Sequence, residues 1–262
     1  MKIYAIANQK GGVGKTTTTI SLAAALAEAG HRTLLIDLDP QANATSGVGL
    51  EPNERGSLYP VFLGERRLSE QIVPTAYPNL DVVPCEIDLA GSEIEISRRE
   101  NPLTALREAF QAFREEPGAP AARYEFAFID CPPSLGILMT NALAAADALL
   151  VPLQCEYFAL EGLSKILNLV EQIGAIHPAL KPQVAGVIMT MYDARTRLSQ
   201  QVVDDVRQNV AALAFQTIIP RTVRLAEAPS HGQPILKYDS SSIGAQSYRR
   251  LAQEFLERQG LA

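Results

Sequence analysis

Tryptophan is absent from the 262 residues, and aromatic side chains make up only 6% of them. Cysteine occurs three times, at Cys85, Cys131 and Cys155, an odd number at wide spacing. That argues against a disulfide framework or a zinc site, and leaves reduced thiols in a cytoplasmic setting as the plain reading. His31, His177 and His231 stand apart from one another and form no metal-site spacing. No run reaches 18 apolar residues, so no spanning helix is expected. The N-terminus lacks a basic segment followed by an apolar stretch and a cleavage site, so no export is expected. An overall excess of positive charge is also missing. The net charge of −6 argues against a chain whose whole surface binds nucleic acid. The charge is uneven, however. Residues 181–262 carry 10 basic and 7 acidic side chains, a net of +3, against −9 for residues 1–180. A local basic face in the last third is therefore allowed.

What is present is a composition of 47% hydrophobic and 20% charged residues, proportions typical of a globular protein with a sizeable core. There is no internal repeat and no low-complexity segment. Short apolar runs alternate with helical patterns. Strands are expected at Lys2–Asn8, Thr33–Asp37, Leu80–Pro84, Phe126–Asp130, Ala148–Pro152, Gln183–Met189 and Phe215–Ile219. Helices are expected near Lys15–Glu28, Pro102–Phe113, Leu138–Ala146, Ala159–Ile176, Ser199–Leu213 and Gly244–Arg258. Several strands, such as Thr33-Leu34-Leu35-Ile36, are apolar throughout, as strands buried on both faces of a parallel sheet are. Alternation of strand and helix then predicts an α/β fold, a doubly wound, mostly parallel sheet with helices on both faces. Gln41–Pro60, rich in Gly, Asn and Ser, reads as a mobile loop, and Glu116–Ala122 as a surface connection. Neither is long enough for a domain linker, so residues 1–262 are expected to form one domain.

The strongest local signal is Lys10–Thr17, KGGVGKTT, between the first strand and the first helix. Gly11, Gly12, Val13 and Gly14 allow a backbone that turns successive N–H groups toward one point, where the helix N-terminus adds partial positive charge. Lys15 is placed to reach the β- and γ-phosphates of a nucleotide, and the Thr16 hydroxyl to bind Mg²⁺, with Thr17 next in the cradle. The common phosphate-loop pattern begins with glycine. Here Gln9 takes that place and Lys10 follows it, so the match is to a deviant form. Lys10 could fold back on its own nucleotide or reach one held by a second subunit, neutralising charge as an arginine finger does elsewhere.

Two acidic segments complete the pattern. Phe126–Asp130 is an apolar strand ending in an acid, the Walker B form, in which Asp130 holds the metal through water. Leu34–Pro40, LLIDLDP, offers Asp37 and Asp39. Asp39 lies farther out and is the favoured residue for orienting an attacking water. Asp37 is then structural or an outer-shell partner of the metal. Phosphoryl transfer needs positioning and charge neutralisation, which Lys10, Lys15, Thr16, Asp39, Asp130 and Mg²⁺ together could supply.

With these residues in view, the chain resembles the ParA/Soj family of DNA-partitioning ATPases, within the deviant-Walker P-loop class. The likeness runs over essentially the whole length: NQKGGVGKTTT (8–18), LLIDLDPQANATSG (34–47), DCPPSLG (130–136), VPLQCEYFALEGL (151–163), TMYDARTRLSQQV (190–202) and IPRTVRLAEAPSHGQPI (219–235). The resemblance implies an ATP- and Mg²⁺-dependent ATPase that forms a nucleotide-sandwich homodimer, with Lys10 reaching the partner's phosphates. It implies binding of double-stranded DNA without sequence preference, and release when a ParB/Spo0J-type centromere-binding protein stimulates hydrolysis. Asp39 matches the carboxylate that supports hydrolysis. Arg195 and Arg224 match positions used for DNA contact, and Pro220 and Thr222 the loop that frames the adenine, although family members often have Asn where Thr222 stands. A nucleoid-associated location in the cytoplasm follows.

Other readings share the loop. A MinD-like ATPase would need an amphipathic membrane helix, whereas Tyr248–Ala262 places Leu251, Phe255 and Leu256 among mixed charges and reads as a packed terminal helix. An iron-protein type would need paired cysteines at a dimer axis. A ParA-like ATPase that positions a protein cargo shares every ATPase residue. The phosphate loop begins by residue 10, so no helix-turn-helix domain is expected before it. Tyr157 and Phe158 fit either an interface or a helix face, and Leu163 reads as core.

Overall fold

The computed structural model describes residues 1–52, 56–86 and 88–261. Its strands are β1 (Lys2–Ile6), β2 (Thr33–Asp37), β3 (Val73–Pro74), β4 (Leu80–Val83), β5 (Phe126–Asp130), β6 (Ala148–Gln154) and β7 (Gln183–Thr190). They form one sheet in the order β3-β4-β2-β5-β1-β6-β7. All neighbours are parallel except β3 against β4.

The apolar strands are buried on both faces because alternate side chains enter two separate cores. Ile3 and Ala5 of β1, and Leu34 and Ile36 of β2, point into one core, with Phe110 and Phe113 of α5 (Ala105–Glu115), Leu138 of α6 (Ile137–Ala145), Leu163 and Ile166 of α7 (Ala159–Ile176) and Val203 of α8 (Arg197–Asn209). Tyr4 and Ile6, with Leu35, point into the other, against α1 (Lys15–Glu28) and α11 (Ile243–Gln259). There Tyr4 packs edge-on to Phe255 at 5.0 Å between centroids and stacks on Phe128 at 5.4 Å. α11 buries Tyr248, Leu251, Phe255 and Leu256, as expected of a packed terminal helix. Among the described residues no helix is long and apolar enough to cross a membrane.

The structure departs from the sequence pattern at four places. Phe215–Ile219 forms no regular strand. It follows the β7 edge through isolated pairings, with Phe215 N–H donating to Val187 O at 3.0 Å and Ile219 N–H to Met189 O at 2.9 Å. Between those contacts the Gln216 and Thr217 amides turn away to the Glu254 carboxylate of α11, at 2.7 and 2.8 Å, which interrupts the ladder. Within Gln41–Pro60, residues 53–55 lie outside the described residues. The start of that segment is a short helix, α2 (Asn43–Gly47), with Ala44 and Thr45 fully buried. Leu89–Ser97 forms α4, a helix the sequence pattern did not single out. α8 begins earlier than its apolar pattern because the Thr196 hydroxyl caps it, accepting from Ser199 N.

A candidate nucleotide site at the carboxyl ends of the strands

The register of the sheet brings the chemistry together. Ile6 of β1 lies opposite Asp130 of β5, and Asp130 lies opposite Asp37 of β2. The phosphate loop and both acidic segments therefore leave the sheet side by side at its carboxyl edge, where ligands bind in open α/β sheets.

The loop is shaped from below. Asn8 Oδ1 accepts the Lys10 N–H at 3.0 Å, while its Nδ2 donates to Pro152 O of β6 at 2.8 Å. The Thr190 hydroxyl donates to Val13 O at 2.8 Å. Gly12 and Gly14 take φ of 72° and 86°, where a Cβ would be strained. A Cβ added at Gly11 or Gly12 would meet nothing within 4 Å, so this backbone borders open space. Lys15 starts α1, is only 7% exposed, and donates to Lys10 O at 3.3 Å across the loop. Burial lowers the pKa of its ammonium, and Asp130 opposes that shift.

Asp130 is fully buried and accepts the Thr16 hydroxyl at 2.7 Å and the Thr19 hydroxyl at 2.8 Å. Burial, and then the Asp37 charge, push its carboxyl well up. Asp37 is raised by burial too, despite accepting the Thr45 N–H and hydroxyl, both at 2.7 Å, and the Asp39 N–H at 3.2 Å. Two buried carboxylates in register repel each other, so a cation nearby would favour the ionised pair. Among the described residues no three His, Cys, Asp or Glu side chains converge into a metal cage. A hydroxyl and a carboxylate beside a phosphate cradle do fit Mg²⁺, which usually takes one or two protein ligands and completes its shell with phosphate oxygens and water. Asp39 is 8% exposed, and its Oδ1 accepts the Gln41 N–H at 3.0 Å.

A cavity of ≈ 210 Å³ opens from Gly14 and Thr17. Met191, Ile219, Pro220 and Leu225 give it apolar walls suited to a flat base. Met191 holds φ of 53°, a left-handed conformation outside glycine that marks strain at this wall. Thr222 lines the cavity, but its hydroxyl accepts Leu225 N at 3.2 Å and caps α9 (Val223–Glu227). A larger hollow of ≈ 440 Å³ lies between α3 (Tyr59–Leu63) and α5. It shares no residue with the loop, and the pairs Arg67–Glu116 and Arg99–Glu108 border it.

The basic positions are exposed but not free. Arg195, 86% exposed, forks onto Asp193 at 2.9 and 2.7 Å and holds that carboxyl far below the usual range. Arg224 reaches Glu227 at 3.1 Å and Asp239 at 3.4 Å. Leu163 is core, while Tyr157 and Phe158 stay exposed. Sequence reasoning gave no role to Asn8, Thr19, Thr190 or Glu156. Of these only Thr19 carried a signal, because it lies one helical turn beyond Thr16 and so on the same face.

A parallel sheet with a strand–glycine loop–helix unit, a buried lysine and a hydroxyl on a strand-end aspartate defines a P-loop ATPase. The family model described as an AAA domain matches residues 1–184. The chain is 46% identical over 261 residues to the chromosome partitioning protein ParA of Caulobacter vibrioides, covering 99% of this chain and 95% of that one. It belongs to the ParA/Soj family of chromosome-partitioning ATPases. The sporulation initiation inhibitor protein Soj of Bacillus subtilis is also 46% identical, over 97% of each chain. Among solved structures, cobyrinic acid a,c-diamide synthase from Mycobacterium smegmatis, with bound ADP and magnesium, superposes with a TM-score of 0.82 at 36% identity. The match covers 99% of this chain and 96% of that one. Its name denotes a different reaction on a shared fold.

Proposed function

We propose that the chain, acting as one domain over residues 1–262, is an ATP-switched DNA segregation ATPase, cytoplasmic and nucleoid-associated. The observation that carries this is the convergence of Lys15, the open backbone at Gly11 and Gly12 and the Thr16–Asp130 contact at one sheet edge. In this reading Lys15 and the loop amides hold the β- and γ-phosphates of ATP. Thr16 binds Mg²⁺ directly and Asp130 through water. The metal supplies charge neutralisation at the phosphates. Thr17 closes the cradle, and Pro220 with Thr222 frames the adenine beside the apolar cavity. Asp39 orients the attacking water. Lys10 crosses to the phosphates of a second copy, so ATP joins two protomers face to face. A ParB/Spo0J-type protein speeds hydrolysis, and the protomers part.

DNA contact follows from that symmetry. Phosphate contacts by Arg195 and Arg224 are blind to sequence, and pairing doubles them. The acids beside each arginine weaken a single protomer's grip further, which makes DNA affinity a readout of pairing. Sizing and DNA binding measured in parallel with ATP, ADP and no nucleotide test the reading. The expected result is a dimer that binds DNA with ATP alone. DNA binding independent of nucleotide would count against it, and binding to liposomes in place of DNA would favour a membrane-positioning ATPase. Arg224→Glu should leave the ATP dimer intact and weaken DNA binding. The log–log salt slope should flatten by about 0.9 for each lost phosphate contact, and so by about 1.8 per dimer. Equal binding by both proteins across a salt titration would remove Arg224 from the DNA face.

A further inference from the structure

We infer that Glu156 is a latch, holding Lys10 on its own protomer until a second copy binds. The inference rests on the dimer proposed above. Glu156 lies two residues past the end of β6, the strand that Asn8 ties to the phosphate loop. Its Oε2 accepts Lys10 Nζ at 3.3 Å, and its Oε1 accepts Arg221 Nη2 at 3.3 Å and Gln154 Nε2 at 2.5 Å. One carboxylate thus joins the phosphate loop, the end of β6 and the loop that walls the base cavity. The backbone of Glu156 is fixed, with its N–H donating to Gln154 O at 2.7 Å and its O accepting the Ala159 N–H at 3.0 Å.

Lys10 is held less firmly. Its side chain is 37% exposed and that of Glu156 44%. Beside Lys10 lies an opening of ≈ 480 Å³, bordered by Gln9, Phe158 and Glu161, into which the side chain can swing. A pair this exposed is weak, whereas a lysine on a shielded triphosphate makes strong charge-assisted bonds. The exchange therefore favours the phosphates once a partner presents them. Glu156 is not stranded when Lys10 leaves, because Arg221 and Gln154 remain on it. The latch is thus cheap to open but still opposes pairing, and a symmetric dimer opens two of them.

The test is the dimer dissociation constant with ATP and Mg²⁺, measured by sedimentation for the wild type, Glu156→Gln, Lys10→Ala and the double variant. Nucleotide affinity of the single protomer is measured alongside, because Arg221 borders the base cavity. Glu156→Gln should pair more tightly, by about 3-fold per latch and roughly 10-fold per dimer. That gain should vanish on the Lys10→Ala background, which a merely structural role would not produce. Unchanged or weaker pairing by Glu156→Gln, in a wild type that does pair, overturns the latch, as does an equal gain without Lys10. A wild type that stays single with ATP removes the proposed dimer, and the latch with it.

Discussion

Lys15→Ala is expected to lose ATP binding by a factor of roughly 30 to several thousand, and with it the nucleotide-driven dimer. Removing one partner of a buried, hydrogen-bonded charge contact typically costs about 2–5 kcal/mol. Lys15 is 7% exposed, so solvent screens its charge little. Asp130 and Asp39 both act on it, and Asp130 itself feels Asp37. Without the ammonium, ATP would bind beside Asp130 and Asp39 with no buried lysine of the same protomer to offset them. Lys15→Arg should not restore binding fully, because a planar fork does not replace a compact ammonium enclosed at a loop. The fold should persist, since the cores beneath the loop are apolar and independent of Lys15. Isothermal titration with ATP and Mg²⁺ checks the affinity, and a thermal melt checks the fold. Affinity within about 3-fold of wild type, in a folded variant, would remove Lys15 from the phosphate cradle.

The parts of the site that were legible in the sequence are those written locally. β2 and β5 are five-residue apolar runs that end in an acid, and both occur at the positions expected. The glycine loop and α1 likewise depend on neighbours in sequence, and α1 spans the expected residues. The unread parts depend on contacts between distant segments. Glu156 looks like any surface acid until the fold brings Lys10 and Arg221 to it from 146 and 65 residues away. Residues 215–219 have the composition of a strand, yet a carboxylate on α11 takes two of their amides. α2 lies in a stretch rich in turn formers. It folds because Asp37 accepts two hydrogen bonds from Thr45, and Thr45 in turn accepts the Cys85 N–H at 2.9 Å. The sequence pattern marks Arg195 and Arg224 as exposed cations, and they are. Their acidic partners lie two and three residues along the chain, with Asp239 added by the fold.

The preference for Asp39 over Asp37 as the water-orienting residue becomes a test of chemistry against structure. Asp39→Ala should bind ATP within about 3-fold of wild type, pair, and then hydrolyse roughly 10²–10⁴-fold more slowly, the range typical of a lost general base or water-orienting group. Its dimer should therefore persist on DNA. Asp37 has no capacity for that role. It is fully buried, its Oδ1 holds the Asp39 amide and its Oδ2 holds both polar atoms of Thr45. Asp37→Ala should instead unseat α2 and lower the melting temperature, because two buried donors on Thr45 lose their acceptor at about 1–3 kcal/mol each. Asp39 gives up far less, a single backbone contact to Gln41. The two variants should thus separate cleanly, one stable and slow, the other unstable. Single-turnover hydrolysis and thermal melting on both proteins decide it. Wild-type turnover in Asp39→Ala would pass the water-orienting role to another group. An Asp37→Ala protein that melts like wild type would mean that the Thr45 contacts do not hold α2 in place.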